Sequence, residues 1–411
     1  YFFMKLCGII AEFNPLTNGH KYLIEEAKRK TGLNVVCIMS GNVVQRGTLP
    51  LLDKYARASH AINAGAVAVL ELPAVYTLSS ANLFAEGAVK CLASLNMVSH
   101  LAFGVTLDNP SELESIAKLK VKESQILKEK IKANIKDGNN YNVSLYKAFK
   151  SEYPLLNDVI ERVFSSPNNI LALEYLTAIY KFNLNITPIY IKRTDSGYSS
   201  LAPKKVKINS KYQYFAGATY VREQLVLSKF NKIKKCVPSY TLNSLLNITN
   251  SKIEKRDERL NAIILSSLRE KSPKELAMYN DYNEGLASLV NKQANVQGTM
   301  SSIVAEISSK SYRKSRINKL LIIPYLSITK QQFSMLNNMV LPLNVLAVRK
   351  ENKSILAKII KCSKAKIIVS KKDYDNLNEQ EKQSLKINQK ASDLLNVCLA
   401  KPYSKDLTIF V

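Results

Sequence analysis

The sequence is poor in the residues that build disulfide and metal sites. Its six cysteines, at positions 7, 37, 91, 236, 362 and 398, form no C-x-x-C pair. This spacing argues against a disulfide framework and against a structural zinc site. Only three histidines are present, His20, His60 and His100, which argues against a metal centre built on several imidazoles. We therefore predict no protein metal site.

Long hydrophobic runs are also missing. No run of about eighteen apolar residues, the length that a membrane-spanning helix needs, occurs in the sequence. No basic segment followed by an apolar run and a small-residue cleavage site is visible, so we expect a cytoplasmic protein with no membrane partner. The 411 residues leave room for two or three domains, and a hydrophobic content of 46% is ample for a large core.

Acidic residues are scarce relative to basic ones, and the formal net charge is +26. The imbalance is uneven: residues 1–105 hold 9 Lys and Arg against 6 Asp and Glu, whereas residues 201–330 hold 23 against 9. A surplus concentrated in one region favours a polyanion larger than a nucleotide, namely nucleic acid, as partner. The alternative interpretation is a lysine-rich surface with no specific partner.

The first twenty residues predict a strand, a sharp turn and the start of a helix. Leu6, Ile9 and Ile10 form an apolar run too short for a helix, and Asn14-Pro15 interrupts it. Thr17-Asn18-Gly19 has turn chemistry, and residues 20–30 have a helical pattern. The amide N–H groups and the dipole at such a helix start favour a bound phosphate.

Short apolar runs and helical segments alternate through the first half of the chain. This alternation predicts right-handed crossovers and a Rossmann-like parallel sheet, whose ligands bind at the carboxyl ends of the strands. Further strands are expected at Val35–Met39, Ala66–Leu70, Leu101–Phe103 and Ile186–Ile191. The polar or glycine residues at the strand ends are Asn14, Ser40, Gly41, Asn42, Glu71 and Gly104.

Changes in pattern predict three units in an α/β protein. Residues 4–235 form a nucleotide-binding domain with a helical insertion at about 106–165, and residues 236–330 form a basic, mainly helical domain. Residues 331–411 form a small α/β module. Its strands are expected at Leu343–Val348 and Ala365–Val369, and its helix at Glu379–Leu399.

Thr17-Asn18-Gly19-His20 resembles the [H/T]-x-G-H signature of the HIGH-type nucleotidyltransferases. A longer succession of motifs resembles one family of that superfamily, the bacterial tRNA(Met) cytidine acetate ligases. These motifs are Met39–Gly47, Asp53–Lys54, Glu71–Pro73, Ser80–Ala81, Phe84–Ala85, Phe103–Gly104, Pro167–Tyr175, Lys192–Arg193, Gly197–Tyr198 and Arg313–Leu320. Ala216–Arg222 resembles the second superfamily signature, of the S-T-x-I-R type.

The resemblance implies an ATP-dependent ligase. It would activate acetate as acetyl-adenylate, release pyrophosphate and AMP, and form N4-acetylcytidine at the wobble position of elongator methionine tRNA. It implies catalytic roles for Thr17, His20 and Lys21. The ATP contacts that we expect are Ile10, Ala11, Glu12, Phe13, Asn14, Pro15, Thr17, Asn18, Gly19, His20, Gly104, Asn168, Asn169, Lys192, Arg193, Thr219 and Arg222.

Two departures from the family pattern affect the phosphate contacts. The family usually has His where this chain has Thr17, so ATP positioning depends more on His20. Gly217 and Ala218 replace the leading serines of the second signature, which removes two hydroxyl groups. Thr219 and Arg222 remain, three residues apart on one helix face.

Residue chemistry suggests further roles at this site. His20 is expected to stabilise negative charge as pyrophosphate leaves, and Lys21 and Arg46 are further candidates for phosphate contact. Asp53 is interpreted as a helix cap rather than a functional carboxylate. Mg²⁺ is expected to accompany the triphosphate.

A basic segment with one aromatic residue lies near the end of the helical domain. We predict that it follows the tRNA backbone, although any single charge is equally typical of a solvated helix face. Its members are Tyr312, Arg313, Lys314, Arg316 and Lys319.

Two other functions remain open. A small-metabolite adenylyltransferase would share the first signature but would leave the basic domain unexplained. A non-catalytic RNA-binding protein with a relic nucleotide fold would leave His20 and Arg222 without a role. Residue spacing alone selects neither acetate nor one tRNA, and it does not determine the oligomeric state.

Overall fold

The computed structural model describes residues 4–193, 202–208, 211–308, 312–404 and 408–411. Gly197 and Tyr198, which the sequence analysis included in its motifs, lie outside the described residues, as do residues 309–311. All residues predicted to contact ATP or tRNA lie within them.

Five parallel strands form the centre of the molecule. They lie in the order β3-β2-β1-β4-β5 and pair in parallel throughout. The strands are β1 (Leu6–Ala11), β2 (Asn34–Ser40), β3 (Ala68–Leu72), β4 (Val98–Val105) and β5 (Thr187–Lys192). The order reverses beside β1, whose neighbours are β2 and β4, so the sheet has its topological switch point there. The predicted parallel α/β sheet is confirmed.

Helices connect these strands and cover both faces of the sheet. Asp53 begins the second helix, and its carboxylate accepts the backbone N–H of Ala56 at 2.9 Å, so its predicted capping role is confirmed. The helices are α1 (Asn18–Thr31), α2 (Lys54–Asn63), α3 (Ala74–Thr77) and α4 (Ala81–Ala93).

The predicted helical insertion follows β4. Its core is mainly apolar, and a buried ion pair between Lys120 and Glu174 joins its first helix to the helix that follows the insertion. The insertion contains α5 (Ser111–Val121), α6 (Gln125–Lys136), α7 (Tyr141–Glu152), the 3₁₀ turn Pro154–Leu156 and α8 (Asn157–Phe164), and α9 (Pro167–Lys181) follows it.

An antiparallel hairpin that the sequence analysis did not predict comes next, followed by the predicted helical region. The hairpin strands are β6 (Lys204–Ile208) and β7 (Lys211–Phe215). The helices are α10 (Ala218–Val226), α11 (Phe230–Ile233), α12 (Ser239–Leu246), α13 (Asn250–Arg269), α14 (Pro273–Leu276), α15 (Glu284–Val296), α16 (Met300–Ile307) and α17 (Lys314–Leu326).

The C-terminal segment extends the central sheet. Strand β8 pairs antiparallel with β3, and two short strands pair with β8 along its other edge. The elements are α18 (Lys330–Asn337), β8 (Leu343–Val348), the 3₁₀ turn Lys350–Asn352, α19 (Lys353–Cys362), β9 (Ile367–Ile368), α20 (Lys371–Asp375), α21 (Glu379–Cys398) and β10 (Ile409–Phe410). The strands of the predicted third unit thus belong to the same sheet as those of the first. The division of the chain into three domains stays a prediction.

One hydrophobic core crosses all three predicted units. It contains Leu6 and Leu101 from the sheet, Ile264 and Leu320 from the helical region, and Cys398 near the C-terminus. Burial of this shared apolar surface holds the units together. Within the described residues, no helix has the length and apolar composition needed to cross a membrane.

Candidate active site

The turn after β1 fixes the ring of His20. The backbone N–H of buried Thr17 donates to His20 Nδ1 at 3.1 Å, and the Thr17 hydroxyl lies 3.2 Å from the same nitrogen. A ring nitrogen that accepts an N–H bond carries no proton in a neutral imidazole, so the proton of His20 is on Nε2. This is the tautomer that the predicted phosphate contact requires.

The side chain of Phe13 packs against the ring of His20. Phe13 is fully buried and meets His20 edge-on, with ring centroids 5.3 Å apart. Phe13 has a φ of 48°, an uncommon value for a residue other than glycine. The half-buried residues Ile10, Ala11 and Glu12 lead into this turn at the carboxyl end of β1. The predicted segment thus forms one wall of the site.

Asn18 ties the start of α1 to the region beyond the hairpin. Its backbone N–H donates to the Cys236 carbonyl at 2.9 Å, and its side-chain amide donates to the carbonyls of Tyr214 and Lys235 at 3.0 and 2.9 Å. These donors are engaged within the chain, and the predicted contact of Asn18 with ATP stays a prediction. Asn18 positions the turn against a distant part of the chain.

The next two residues of α1 differ in their surroundings. Among the described residues, a Cβ atom at Gly19 would meet only the Thr17 hydroxyl, at 3.6 Å, which leaves space for a ligand there. Lys21 lies on the outer face of the helix, where its ammonium is 3.6 Å from the Glu25 carboxylate. The Lys21 side chain is thus turned toward solvent. A catalytic role for Lys21 stays a prediction.

The second predicted signature meets the first. Arg222, in the second turn of α10, donates through Nη1 to the Asn14 carbonyl at 2.7 Å and through Nη2 to the Thr219 hydroxyl at 2.9 Å. The bond to Asn14 joins segments that are 208 residues apart in the chain. Asn14 also accepts the Leu51 N–H on its side-chain oxygen at 2.9 Å. The structure thus brings both signatures to one edge of the sheet.

Two arginines contribute positive charge at this edge. Burial lowers the pKa of Arg222, the positive charge of Arg46 lowers it further, and the carboxylates of Glu12 and Glu223 oppose the shift. Arg46 belongs to the loop after β2, which Gly47 brings against α17 at a φ of 70°. A bound anion would reduce the repulsion between the two cations. The charges at this edge are therefore compatible with a phosphate group.

A third group of predicted ATP contacts lies at the ends of β4 and β5. Arg193 donates to the Asn168 side-chain oxygen at 3.1 Å, and a Cβ atom at Gly104 would lie 3.1 Å from Arg193 Cγ. The side-chain nitrogen of Asn168 is buried without a hydrogen-bond partner among the described residues. A donor in this state suits a ligand acceptor such as a base nitrogen or a ribose oxygen.

Two neighbours of that group point elsewhere. Asn169 is fully buried, and its side-chain oxygen accepts the N–H and the hydroxyl of Thr106, both at 2.9 Å. Lys192 is exposed and pairs with Asp108. Asn169 therefore fixes the loop after β4, and the Lys192 ammonium is engaged with a carboxylate at the surface.

A buried arginine that the sequence analysis missed holds the strand ends together. Arg57 is fully buried in α2 and donates to the carbonyls of Glu12 at 2.6 Å and Ser40 at 3.1 Å, as well as to those of Gly41 and Leu52. Burial lowers its pKa to about 10, so the guanidinium is still charged at neutral pH. It clamps the ends of β1 and β2 under the candidate site.

A buried ion pair, also missed, lies beside Arg57. Lys54 and Glu71 are both inaccessible to solvent and are 3.0 Å apart, and the Asn344 amide donates to the same carboxylate at 2.9 Å. The Lys54 backbone N–H is accepted by the Asn42 side chain at 2.7 Å. The sequence analysis included Lys54 and Glu71 in two separate motifs, Asp53–Lys54 and Glu71–Pro73. Nothing in the spacing of these motifs predicts that the two side chains meet.

The cluster predicted to contact tRNA is divided by the structure. Arg313 and Lys314 are exposed at the start of α17, and Tyr312 is half-buried beside them. Arg316 forms two hydrogen bonds with the Asp281 carboxylate, at 2.8 and 3.0 Å.

Lys319 is only 5% exposed and donates to the Ser79 carbonyl at 2.6 Å. Burial lowers its pKa to about 8. The prediction that Lys319 lies on the same basic surface is therefore wrong, because this face of α17 packs into the interior.

Comparison with known proteins agrees with this geometry. The family model described as HIGH Nucleotidyl Transferase matches residues 4–408. A tRNA(Met) cytidine acetate ligase from Halothermothrix orenii is 30% identical, over 97% of this chain and 96% of that protein. The chain belongs to the tRNA(Met) cytidine acetate ligase family of HIGH nucleotidyltransferases. A second family member, from Thermoanaerobacter sp., is 33% identical over 90% of both chains.

Solved structures share the fold of this family member. The crystal structure of Thermotoga maritima TmcAL bound with alpha-thio ATP superposes with a TM-score of 0.86, covering 99% of this chain and 100% of that one at 21% identity. The apo form of the same protein gives a TM-score of 0.87. The family's fold therefore extends over the whole described chain, including the C-terminal strands that join the central sheet.

Proposed function

We propose that this protein is an ATP-dependent ligase that acetylates a cytidine of elongator methionine tRNA. The observation that carries the proposal is the meeting of the two signatures, in which Arg222 bonds to Asn14 while Thr17 orients His20. Support also comes from the relatives, which are named tRNA(Met) cytidine acetate ligases. The acceptor base would be the wobble cytidine, as the family resemblance implies.

The first step would activate acetate. An acetate oxygen attacks the α-phosphorus of ATP, a new P–O bond forms, and the bond to the β-phosphate bridge breaks to release pyrophosphate. His20 Nε2 and the guanidinium of Arg222 would donate to phosphate oxygens as charge develops on them. Arg46 would supply a second cation. Acetyl-adenylate is the product of this step.

The second step would transfer the acetyl group. The exocyclic N4 of the cytidine attacks the acetyl carbonyl, the bond to the AMP oxygen breaks, and N4 loses one proton to water. No covalent enzyme intermediate is required, so positioning and electrostatics would supply most of the rate. The Thr17–His20 turn and α10 would hold the AMP moiety throughout.

The adenosine would lie toward the ends of β4 and β5. Gly104 lies against the Arg193 side chain there, and the side-chain nitrogen of Asn168, which has no partner among the described residues, offers a donor. Mg²⁺ would arrive with the triphosphate as part of the substrate. Among the described residues, no three His, Cys, Asp or Glu side chains gather as a metal site, so the ion would depend on phosphate oxygens and water.

The tRNA would approach from the side of the basic helical region. Residues 201–330 carry the largest positive surplus of the chain, and Arg313 and Lys314 are exposed there. These two side chains, with Tyr312, remain our proposed contacts from the predicted cluster. Arg316 would contribute less because it is already paired with Asp281.

One experiment tests substrate, donor and reaction together. Unmodified elongator methionine tRNA is incubated with the protein, Mg-ATP and isotopically labelled acetate, and its nucleosides are analysed by mass spectrometry. Labelled N4-acetylcytidine is expected. AMP and pyrophosphate without acetylcytidine would show that the acceptor is wrong. Untouched ATP would favour a non-catalytic RNA-binding protein.

A further inference from the structure

The hairpin β6–β7 presents a regular pattern of basic and aromatic side chains. Its register places Lys205 opposite Tyr214 and Lys207 opposite Tyr212. Because side chains alternate between the two faces of a strand, these four lie on the same face of the hairpin. Two lysines thus stand directly across from two tyrosines.

The other face of the hairpin is anchored to the protein. Phe215 is fully buried, and its ring meets that of Tyr22 on α1 with centroids 5.9 Å apart. The face with the lysines and tyrosines is therefore directed away from α1. Lys205 and Lys207 are exposed, and Tyr212 has 62% of its surface accessible, so a ligand can reach its ring.

The cations lie over the aromatic rings. The Lys205 ammonium is 4.2 Å from the Tyr212 ring centroid, and the Lys235 ammonium is 5.3 Å from that of Tyr214. Lys235 belongs to the segment between α11 and α12, so it extends the surface beyond the hairpin. We call Lys205, Lys207, Tyr212, Tyr214 and Lys235 the hairpin platform.

Charge and position indicate what the hairpin platform binds. Residues 202–236 contain nine Lys and Arg and one acidic residue, Glu223. The Asn18 side chain donates to the backbone carbonyls of Tyr214 and Lys235, two members of the platform. Because Asn18 lies two residues before His20 in the chain, these bonds place the platform beside the turn that holds His20. A strongly positive surface with open aromatic rings suits a polyanion that also carries flat rings.

We propose that the hairpin platform binds an unpaired, single-stranded segment of the tRNA next to the reacting nucleotide. A base would stack on Tyr212, while Lys205, Lys207 and Lys235 contact the flanking phosphates. This inference rests on the proposed function. Stacking needs bases that are free of a duplex, so a single strand fits this surface better than a double helix or an acidic protein segment.

The test compares two kinds of variant in the full chain. Binding of fluorescently labelled elongator methionine tRNA is measured by anisotropy at several salt concentrations. Tyr212→Ala is expected to weaken binding about tenfold with little change in salt dependence, because it removes stacking. The double variant Lys205→Glu/Lys207→Glu is expected to weaken binding. It is also expected to make the fall of log affinity with log salt shallower, by about one unit of slope for each lost phosphate contact. Tyr212→Phe keeps the ring and is expected to bind within about twofold of the unmodified protein, since stacking needs the ring rather than the hydroxyl.

A matched charge reversal supplies the control. Lys128→Glu/Lys132→Glu makes the same charge change on exposed residues of α6, in the helical insertion. Melting temperature and binding of ATP establish that each variant is folded. Equal effects of the two double variants, or unchanged binding by Tyr212→Ala, would overturn the inference.

Two further outcomes separate this inference from the proposed function. In the first, the unmodified protein forms acetylcytidine while all hairpin variants bind tRNA with the same affinity as the unmodified protein. In that case the proposed binding of tRNA by the hairpin platform is wrong, and the proposed enzyme activity stands. If the unmodified protein neither binds tRNA nor forms acetylcytidine, both proposals fail. A duplex RNA that competes as well as a single strand of the same length would overturn the stacking role.

Discussion

The turn after β1 and the start of α17 were predicted with the same kind of reasoning and differ in outcome. In the turn, Thr17 and His20 are three residues apart and bond to each other, as a helix start dictates. In α17, Arg316 and Lys319 have the same three-residue spacing, yet one pairs with Asp281 and the other is buried. Spacing fixes geometry within a turn, but neighbouring elements decide where a helix directs its charges.

The largest expected effect tests the turn. His20→Ala removes the donor that we place at the phosphates, and loss of one preorganised donor of this kind lowers turnover about 10²- to 10³-fold. The measurement is the rate of labelled acetylcytidine formation with tRNA, ATP and acetate. Undiminished acetylation would contradict the role of His20 and remove the difference between the two regions. The melting temperature controls for folding.

The next effect tests the interior of α17. An ordinary lysine has a pKa near 10.4, whereas burial lowers that of Lys319 to about 8. Between pH 8 and 10.4 the unfolded chain therefore holds more protons, so the free energy of unfolding rises with pH in this window, by up to about 3 kcal/mol. Lys319→Met is expected to abolish this rise, measured by urea unfolding from pH 7 to 10.

The exposed lysine on the same helix provides the control for that experiment. Lys314→Met is expected to leave the pH dependence as it is in the unmodified protein, because Lys314 is exposed. If Lys319→Met and Lys314→Met gave the same pH profile, the contrast between interior and surface on α17 would be wrong.

A smaller effect tests the link between the two signatures. Arg222→Lys keeps the charge, but one ammonium cannot reach both the Asn14 carbonyl and the Thr219 hydroxyl as the guanidinium does. We expect ATP to bind about tenfold more weakly, the equivalent of one charge-assisted hydrogen bond. Titration calorimetry measures this affinity, with Lys28→Met on the exposed side of α1 as control. Unchanged affinity would show that the signatures meet for structural reasons alone.

The smallest effect compares two cations at the start of α17. Lys314→Met is expected to weaken tRNA binding about threefold and to reduce its salt dependence, since one phosphate contact is lost. Arg316→Met is expected to change tRNA affinity less and to lower the urea midpoint more, because it leaves the Asp281 carboxylate without its partner. A larger loss of tRNA affinity in Arg316→Met than in Lys314→Met would instead support the original prediction that Arg316 belongs to the tRNA-binding surface.

Much of the fold was accessible from the sequence. The five parallel strands and β8 match short apolar runs bounded by turn residues, and β8 has the predicted bounds Leu343–Val348. The insertion matches the change to a helical pattern after β4. The hairpin β6–β7 was missed because a lysine-rich stretch such as Lys204–Ile208 is typical of a solvated loop. Its strands are stabilised by pairing with each other and by the buried ring of Phe215.

The candidate site divides in the same way. The turn residues Thr17 and His20 were found through their resemblance to the superfamily signature, and the structure adds that they bond to each other. Asp53 was found because a cap bonds three residues ahead. The clamp of Arg57 on the carbonyls of Glu12 and Ser40 has no such signal. A charged side chain in an apolar helix pattern does not show which distant carbonyls it will meet.

The sequence by itself determined the alternation of strands and helices, the turn that holds His20 and the excess of positive charge, since each depends on neighbours a few residues away or on composition alone. Only the tertiary structure decided which cations became buried supports, such as Arg57 and Lys319, and which remained on the surface. It also placed β8 beside β3 and Lys205 beside Tyr212. These outcomes depend on packing between segments far apart in the chain, where burial of apolar surface and the cost of an unpaired buried charge determine the arrangement.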